Sequence, residues 1–183
     1  MKYLSSDPEY YSIIQLIYSD YSRYYQRKDK YSVLLKLFET ILFGLNHCLL
    51  YSIYFRCASR KNIFQSFAKY KKFRIGRKYG IQIPSKTKIG PGLYIGHGIG
   101  IVINEKAIIG RNCNISQFLT IGSNKGTPAI IGDNVYIGPN VCIVEDVKIG
   151  NNVKIGAGTI VINDIPDNAT SVGNPNRIIL KSK

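Results

Sequence analysis

Thirteen isoleucines at a fixed spacing constrain this chain more than anything else in it. Ile83, Ile89, Ile95 and Ile101 form one series, and Ile103, Ile109, Ile115 and Ile121 a second. Ile131, Ile137, Ile143, Ile149 and Ile155 form a third, closed by Val161. Within each series the step is six. A glycine follows directly at Gly90, Gly96, Gly110, Gly122, Gly132, Gly138, Gly150 and Gly156. A smaller apolar or hydroxyl residue lies two positions before, as at Thr87, Leu93, Ala107, Cys113 and Val135. A six-residue step scatters apolar side chains around a helix, and the two-residue period of a strand explains only part of it. A parallel β-helix explains all of it. Each short strand buries one isoleucine, the chain turns a corner after every hexapeptide, and three hexapeptides close one triangular coil. A coil buries its apolar face only against its neighbours. The glycine after each isoleucine reads as the corner residue. A β-sandwich with glycine-rich turns would space its strands irregularly.

The repeat is broken twice. At Gly98-Ile99-Gly100-Ile101-Val102-Ile103 the register advances by two, and between Ile121 and Ile131 ten residues replace six. The extra residues fall in Gly122-Ser123-Asn124-Lys125-Gly126-Thr127-Pro128. Such a stretch cannot continue a strand, so a projecting loop is expected over 122–130. The prism is expected over 80–163, followed by a turn and tail over 164–183 in which Arg177–Leu180 is a short strand or helix.

Residues 1–79 read as helical. Ser5-Ser6-Asp7-Pro8-Glu9 is a helix-start signal, and a first helix is expected over 5–28. Lys28-Asp29-Lys30 reads as a turn. A second helix is expected over 32–59, apolar over much of its circumference, with Val33, Leu37, Ile41, Leu45, Leu49 and Ile53 on its face. Such a helix packs on another helix or another subunit. His47 within it reads as a packing residue. A third, basic helix is expected over 60–75, broken by Gly76 and Gly80.

The net charge of +14 is concentrated in this region: 15 Lys/Arg against 5 Asp/Glu over residues 1–80, and 10 against 6 over the rest. Arg60–Lys78 carries no acid and interleaves its cations with Phe64, Phe67, Tyr70 and Phe73. A solvated helix face is the plainest reading of that stripe; an anionic membrane surface or a polyanionic substrate also suits it. No nucleic-acid-binding motif accompanies it, so no nucleic-acid partner is expected. Peripheral membrane contact through 60–78 is kept as an expectation. No apolar run of about twenty residues is present, so no spanning helix is expected, and no secretory signal is read at the start of the chain. The four cysteines, Cys48, Cys57, Cys113 and Cys142, show no paired spacing. They read as reduced residues of a cytoplasmic protein, with no metal site.

His97 is the one histidine of the prism, next to Gly96 and just before the register shift. Imidazole titrates nearest neutral pH, so a general base is one reading and an exposed turn histidine the other.

The sequence resembles the hexapeptide-repeat (left-handed β-helix) acyltransferases, and within them the serine acetyltransferase-like group. The residues that carry the resemblance are Lys88–Gly92, Gly96–Glu105, Ile115-Ser116-Gln117, Thr120-Ile121-Gly122, Lys154–Val161, and the tail Asp164-Ile165-Pro166 with Val172–Arg177. The resemblance implies a mainly β fold, a left-handed parallel β-helix with an N-terminal α-helical segment. It implies a homotrimer with acetyl-CoA as co-substrate in the groove between two prisms, and pairing of trimers through the N-terminal helices. It makes His97 the general base toward an acceptor hydroxyl, with Gln82 at the position of the family's orienting acid and Glu105 matching a second acid. Gly96, Gln117 and Thr127 become acceptor-side residues. Gly122, Lys125, Gly138, Ala157 and Arg177 become CoA-side residues, although Lys125 and Arg177 can equally be solvated charges.

Three departures from the family pattern bear on the acceptor. Gln82 replaces the acid; a glutamine carbonyl can fix the imidazole tautomer but cannot stabilise an imidazolium by charge. Gly96 stands where the group has Asp, and Gly126-Thr127 where it has an Arg-His pair. Those charged residues hold the ammonium and carboxylate of an amino acid, and a zwitterion without them is left unpaired. The expectation drawn is O-acetylation of a sugar hydroxyl in a surface polysaccharide or its precursor, as by the colanic acid acetyltransferase, at the inner face of the membrane. Serine O-acetylation and a non-catalytic trimeric scaffold are the alternatives.

Overall fold

The computed structural model describes residues 7–25, 30–44, 46–124 and 126–180, with only the backbone of 30–34. Among the described residues, the helical region holds four helices and a short 3-10 turn: Pro8–Tyr10, α1 (Ile13–Tyr24), α2 (Lys30–Phe43), α3 (His47–Ala58) and α4 (Gln65–Tyr79). α1 starts later than expected because Ser12 and Gln15 form a reciprocal capping box. The long second helix is two. Gly44 adopts φ +63 after Phe43, and the Asn46 side chain accepts from Leu49 N at 3.0 Å to start α3. Part of the Lys28-Asp29-Lys30 turn and Leu45 lie outside the described residues. α4 runs through Gly76, where a Cβ would stand 2.6 Å from the Ile81 carbonyl oxygen, and stops at Gly80 in the left-handed conformation. No single described helix is long and apolar enough to cross a membrane.

The rest is a left-handed parallel β-helix. Its first coil is β1 (Lys88–Ile89), β2 (Tyr94–Ile95) and β3 (Val102–Ile103), and its second is β4 (Ile108–Ile109), β5 (Asn114–Ile115) and β6 (Thr120–Gly122). The third is β7 (Ile130–Ile131), β8 (Tyr136–Ile137) and β9 (Cys142–Val144), and the fourth β10 (Lys148–Ile149), β11 (Lys154–Ile155) and β12 (Ile160–Val161). Stacking gives three parallel sheets: face one β1-β4-β7-β10, face two β2-β5-β8-β11, face three β3-β6-β9-β12. β13 (Thr170–Val172) extends face two and pairs antiparallel with β14 (Arg177–Ile179). Ile165 also bridges Ile149, so the stack continues past 163, and the expected tail is in part a capping coil. The tail's last segment is a strand.

The isoleucine ladder is the core: Ile89, Ile95, Ile109, Ile115, Ile121, Ile137, Ile143 and Ile155 are all buried. Two readings are corrected. Ile101 does not end a hexad series. β3 follows β2 by eight residues, Ile103 takes the ladder position, and Ile101 fills the smaller site two residues before it. Nor does the glycine after each isoleucine make the corner. The left-handed residue comes three after the isoleucine, as at Asn112, Phe118, Asn134, Asn140 and Asn152. Asparagine tolerates that conformation, and Asn112, Asn134, Asn152 and Asn168 bond up one edge at 3.0–3.2 Å. The glycine is needed for close approach: a Cβ on Gly110 would stand 2.5 Å from the Gly132 carbonyl oxygen of the next coil.

The helices are bound to the first coil by a buried ion pair. Arg56 on α3 and Asp20 on α1 are each 1% exposed. Arg56 Nε and Nη2 reach Asp20 Oδ2 and Oδ1 at 2.8 and 2.9 Å, while Nη1 and Nη2 donate to the carbonyls of Ile89 and Gly90 at 2.6 and 2.7 Å. Asp20 also accepts from Leu93 N at 2.8 Å and from the Ser52 hydroxyl.

Candidate active site

The two extra residues of the first coil place His97 on a turn at the edge between faces two and three. His97 adopts φ +51 and its side chain is exposed. Four hydrogen bonds hold the backbone around it. Ile99 N donates to His97 O at 2.8 Å, Gly98 N to the Cys48 sulfur at 3.1 Å, Gly100 N to Tyr79 O at 2.9 Å, and Phe118 N to Ile99 O at 2.8 Å. The turn is thus held by α3, by the end of α4 and by the coil above. Cys48 is buried, which pushes its thiol up from the ordinary value, against a smaller lowering by the Gly98 N–H. His47 does pack: its ring stacks on Tyr79 at 4.0 Å, with Nε2 3.4 Å from the Cys48 sulfur.

Face three divides the expected site residues into two groups. Gly96, His97, Gln117, Gly138 and Ala157 share the edge between faces two and three. The coils there are linked by Phe118 N to Ile99 O, Asn140 N to Gln117 O and Gly158 N to Pro139 O, at 2.8, 3.0 and 2.9 Å. Gly138 backs directly on Ala157, whose nitrogen would stand 2.9 Å from an added Cβ. Gly96, with a Cβ direction facing the Tyr94 ring at 3.3 Å, precedes the turn. Arg177 opens β14 at the far end of face two, exposed. Glu105, Gly122 and Thr127 occupy the opposite edge, between faces three and one. The loop there is pinned by Glu145, whose carboxylate takes Ser123 Oγ at 3.3 Å and Asn124 N at 3.2 Å. Thr127 is exposed, and Lys125 lies outside the described residues.

Within one protomer neither expected orienting residue meets the His97 ring. Gln82 bridges Val102 through its backbone, its side chain is exposed, and no hydrogen bond joins it to the His97 ring. Glu105 is at the far edge of face three and pairs with Lys86 at 3.5 Å. Among the described residues, the His97 ring has no hydrogen-bond partner within the protomer. Sequence reasoning missed Cys48, Glu145 and Phe118. Phe118 is 51% exposed with φ +58 and covers Gly100 one coil above His97. Its one legible signal was its place three after Ile115, a corner position.

Triangular coils with a histidine on an inserted turn define a hexapeptide-repeat β-helix protein. The bacterial transferase hexapeptide model (six repeats) matches residues 128–163. The serine acetyltransferase of Synechococcus elongatus is 40% identical over 108 residues, 56% of this chain and 44% of that protein. A soybean serine acetyltransferase solved with serine superposes with a TM-score of 0.70 at 28% identity, covering 96% of this chain and 71% of that one. A serine acetyltransferase solved with CoA gives a TM-score of 0.68 at 28% identity, covering 92% and 70%. The chain resembles the hexapeptide-repeat, left-handed β-helix acyltransferases in its repeat and its fold. It spans less than half the length of the Synechococcus relative. These likenesses overturn the sugar-hydroxyl acceptor expected from Gly96 and Gly126-Thr127. Loss of charged contacts was read as a change of substrate, whereas the relatives and solved structures that the chain matches are serine acetyltransferases.

Proposed function

We propose that the chain is an acetyl-CoA-dependent O-acetyltransferase whose acceptor is the hydroxyl of serine. The observation that carries this reading is His97, exposed on a turn fixed through three neighbouring backbone groups, in a chain whose relatives are serine acetyltransferases. The imidazole takes the hydroxyl proton. The oxygen attacks the thioester carbonyl, the carbon–sulfur bond breaks, and the departing CoA thiolate receives the proton. Gly138 and Ala157 line the path of the CoA chain, Gln117 on the same edge faces the acceptor, and Arg177 lies toward the CoA phosphates.

A trimer supports this chemistry. His97 and the loop 122–128 sit at opposite edges of face three, so one protomer cannot bring them together. Three prisms packed around an axis set one edge against the other edge of a neighbour. The outward positions of face three suit such packing: Val102, Thr120, Cys142 and Ile160 form a column without charge. The departures at Gly96 and Gly126-Thr127 remove charged partners of the amino acid, so serine binds weakly and KM is high.

The test is thiol release from acetyl-CoA with and without L-serine. The wild type releases CoA only with serine, and His97→Ala loses about 10²-fold or more in kcat while CoA binding by calorimetry and trimer mass by light scattering persist. Undiminished turnover in His97→Ala, or a wild type indifferent to serine, sinks the reading.

A further inference from the structure

The surface that the catalytic reading leaves unused is the outer face of α4 with the neighbouring face of α2. Phe67, Tyr70 and Phe73 follow one another at three-residue steps along α4 and are 54, 54 and 56% exposed. Ile63 and Phe64, just before the helix, are 92 and 64% exposed. Each ring carries a cation four residues on: Lys71 lies over Phe67 at 5.4 Å, Arg74 over Tyr70 at 6.0 Å, and Arg77 over Phe73 at 5.7 Å. The i,i+4 spacing places each pair on one helix face, and the cation–π contact keeps the cation at the level of the ring.

α2 adds an apolar face. Leu35, Phe38, Ile41, Leu42 and Phe43 are 49 to 67% exposed on a helix that packs only lightly on α3. Between the two helices runs a groove of about 900 Å³ whose apolar wall includes Ile41, Leu50, Tyr54 and Phe73 and whose rim is Lys71, Arg74, Arg77 and Lys78. No Asp or Glu occurs between Glu39 and Glu105.

We infer that this surface docks on an anionic lipid bilayer, with the aromatic and α2 side chains in the headgroup–acyl boundary and the α4 cations at the phosphates. The chemistry selects the occupant. A contiguous apolar patch of this kind is a docking surface rather than ordinary solvent-facing structure. A second copy of the chain brought up by a two-fold contact would set α4 cations against the same cations. A soluble polyanion satisfies the cations but leaves the α2 residues in water. An anionic bilayer satisfies both, apolar side chains below and cations above, as interfacial helices do.

The experiment is co-sedimentation of the full chain with vesicles of phosphatidylcholine alone and of phosphatidylcholine with phosphatidylglycerol. Binding is expected only with phosphatidylglycerol, falling as salt rises. K71Q/R74Q/R77Q lowers partitioning by about two orders of magnitude. F38S/L42S, which keeps every charge, lowers it as well. Unchanged thermal midpoints show that both variants fold. The inference is overturned if the wild type fails to sediment with the anionic vesicles at low salt. It is overturned equally if F38S/L42S binds as the wild type does, which is the outcome for a purely electrostatic polyanion site. Self-association through this face, abolished by F38S/L42S without any vesicle binding, also overturns it.

Discussion

The backbone N–H of Gly98 donates to the Cys48 sulfur at 3.1 Å, so the turn that carries His97 is anchored to a helix fifty residues upstream. The prism alone would leave that N–H pointing out of an inserted turn. α3 supplies its acceptor, and Tyr79 at the end of α4 supplies the next one, for Gly100. The helical region is therefore part of the support of the His97 turn.

Cys48→Ala leaves the Gly98 N–H without its acceptor, at a cost of about 1–3 kcal/mol for a buried donor. It also frees the His97 turn to shift. Kcat for serine-dependent thiol release falls about ten- to hundredfold, because small displacements of a positioned base are costly, while KM for acetyl-CoA changes little. Cys48→Ser retains an acceptor and restores part of kcat. A Cys48→Ala enzyme with wild-type kcat and only a lower thermal midpoint would reduce the thiol to a packing residue.

The ion pair of Arg56 and Asp20 makes a second prediction. Arg56→Met strands a buried carboxylate and uncovers the carbonyls of Ile89 and Gly90. The loss is about 3–5 kcal/mol, or a fall of roughly 10 °C in thermal midpoint for a chain of this size. Adding Asp20→Leu removes the stranded charge and recovers part of the loss. Full additivity of the two substitutions in thermal unfolding would mean that the residues are not coupled.

How legible each element was follows from the range of its cause. The prism was legible because every hexad meets the same local demand, a buried side chain at one repeat position. The corner rule was misread for the same reason. A glycine one after the isoleucine looks like a turn residue until the next coil shows that its backbone comes within Cβ distance, and the asparagines that do turn carry no period strong enough to notice. α2 and α3 merged into one helix because their apolar pattern is continuous, while Gly44 and Asn46 break it by backbone geometry. Cys48, Asp20 and Arg56 were invisible, since each partner lies at least 32 residues away. His97 could be singled out from the register shift. That it and the 122–128 loop lie across face three from one another could not, because the edge a residue occupies depends on counting corners in three dimensions.

Gly110→Ala tests the corner rule. The added Cβ would stand 2.4 Å from Asp133 Oδ1 and 2.5 Å from the Gly132 carbonyl oxygen. Backbone cannot move aside as a flexible side chain can, so two coils separate and the prism loses several kcal/mol, as for overpacking with backbone shift. Ala157→Gly at the opposite edge removes only an exposed methyl and changes stability by less than about 1 kcal/mol. Denaturant midpoints for the two variants should differ widely; similar midpoints would show that the coils are not in close approach at Gly110.

Lys72 makes stability depend on pH in a definite direction. Its Nζ donates to Ile83 O at 2.7 Å beside the Tyr51 ring and the first coil, and burial, with Lys69 adding to it, brings its pKa down from 10.5 to about 8. Below pH 8 both folded and unfolded chains carry the proton, and the folded state bears the full cost of the half-buried ammonium. Between pH 8 and 10.5 the unfolded chain holds the proton and the folded one has released it, so this residue's contribution to stability rises with pH. Tyr51 acts oppositely at higher pH. Burial pushes its phenol up to about 12, so above pH 10 the unfolded state ionises first and stability falls. Lys72→Met removes the first effect and leaves the second. At pH 7 the variant is at least as stable as the wild type, and its advantage shrinks as pH approaches 10. Thermal midpoints measured across pH 7–10 give the comparison directly; curves that stay parallel over that range would show that Lys72 keeps an ordinary amine pKa in the folded protein.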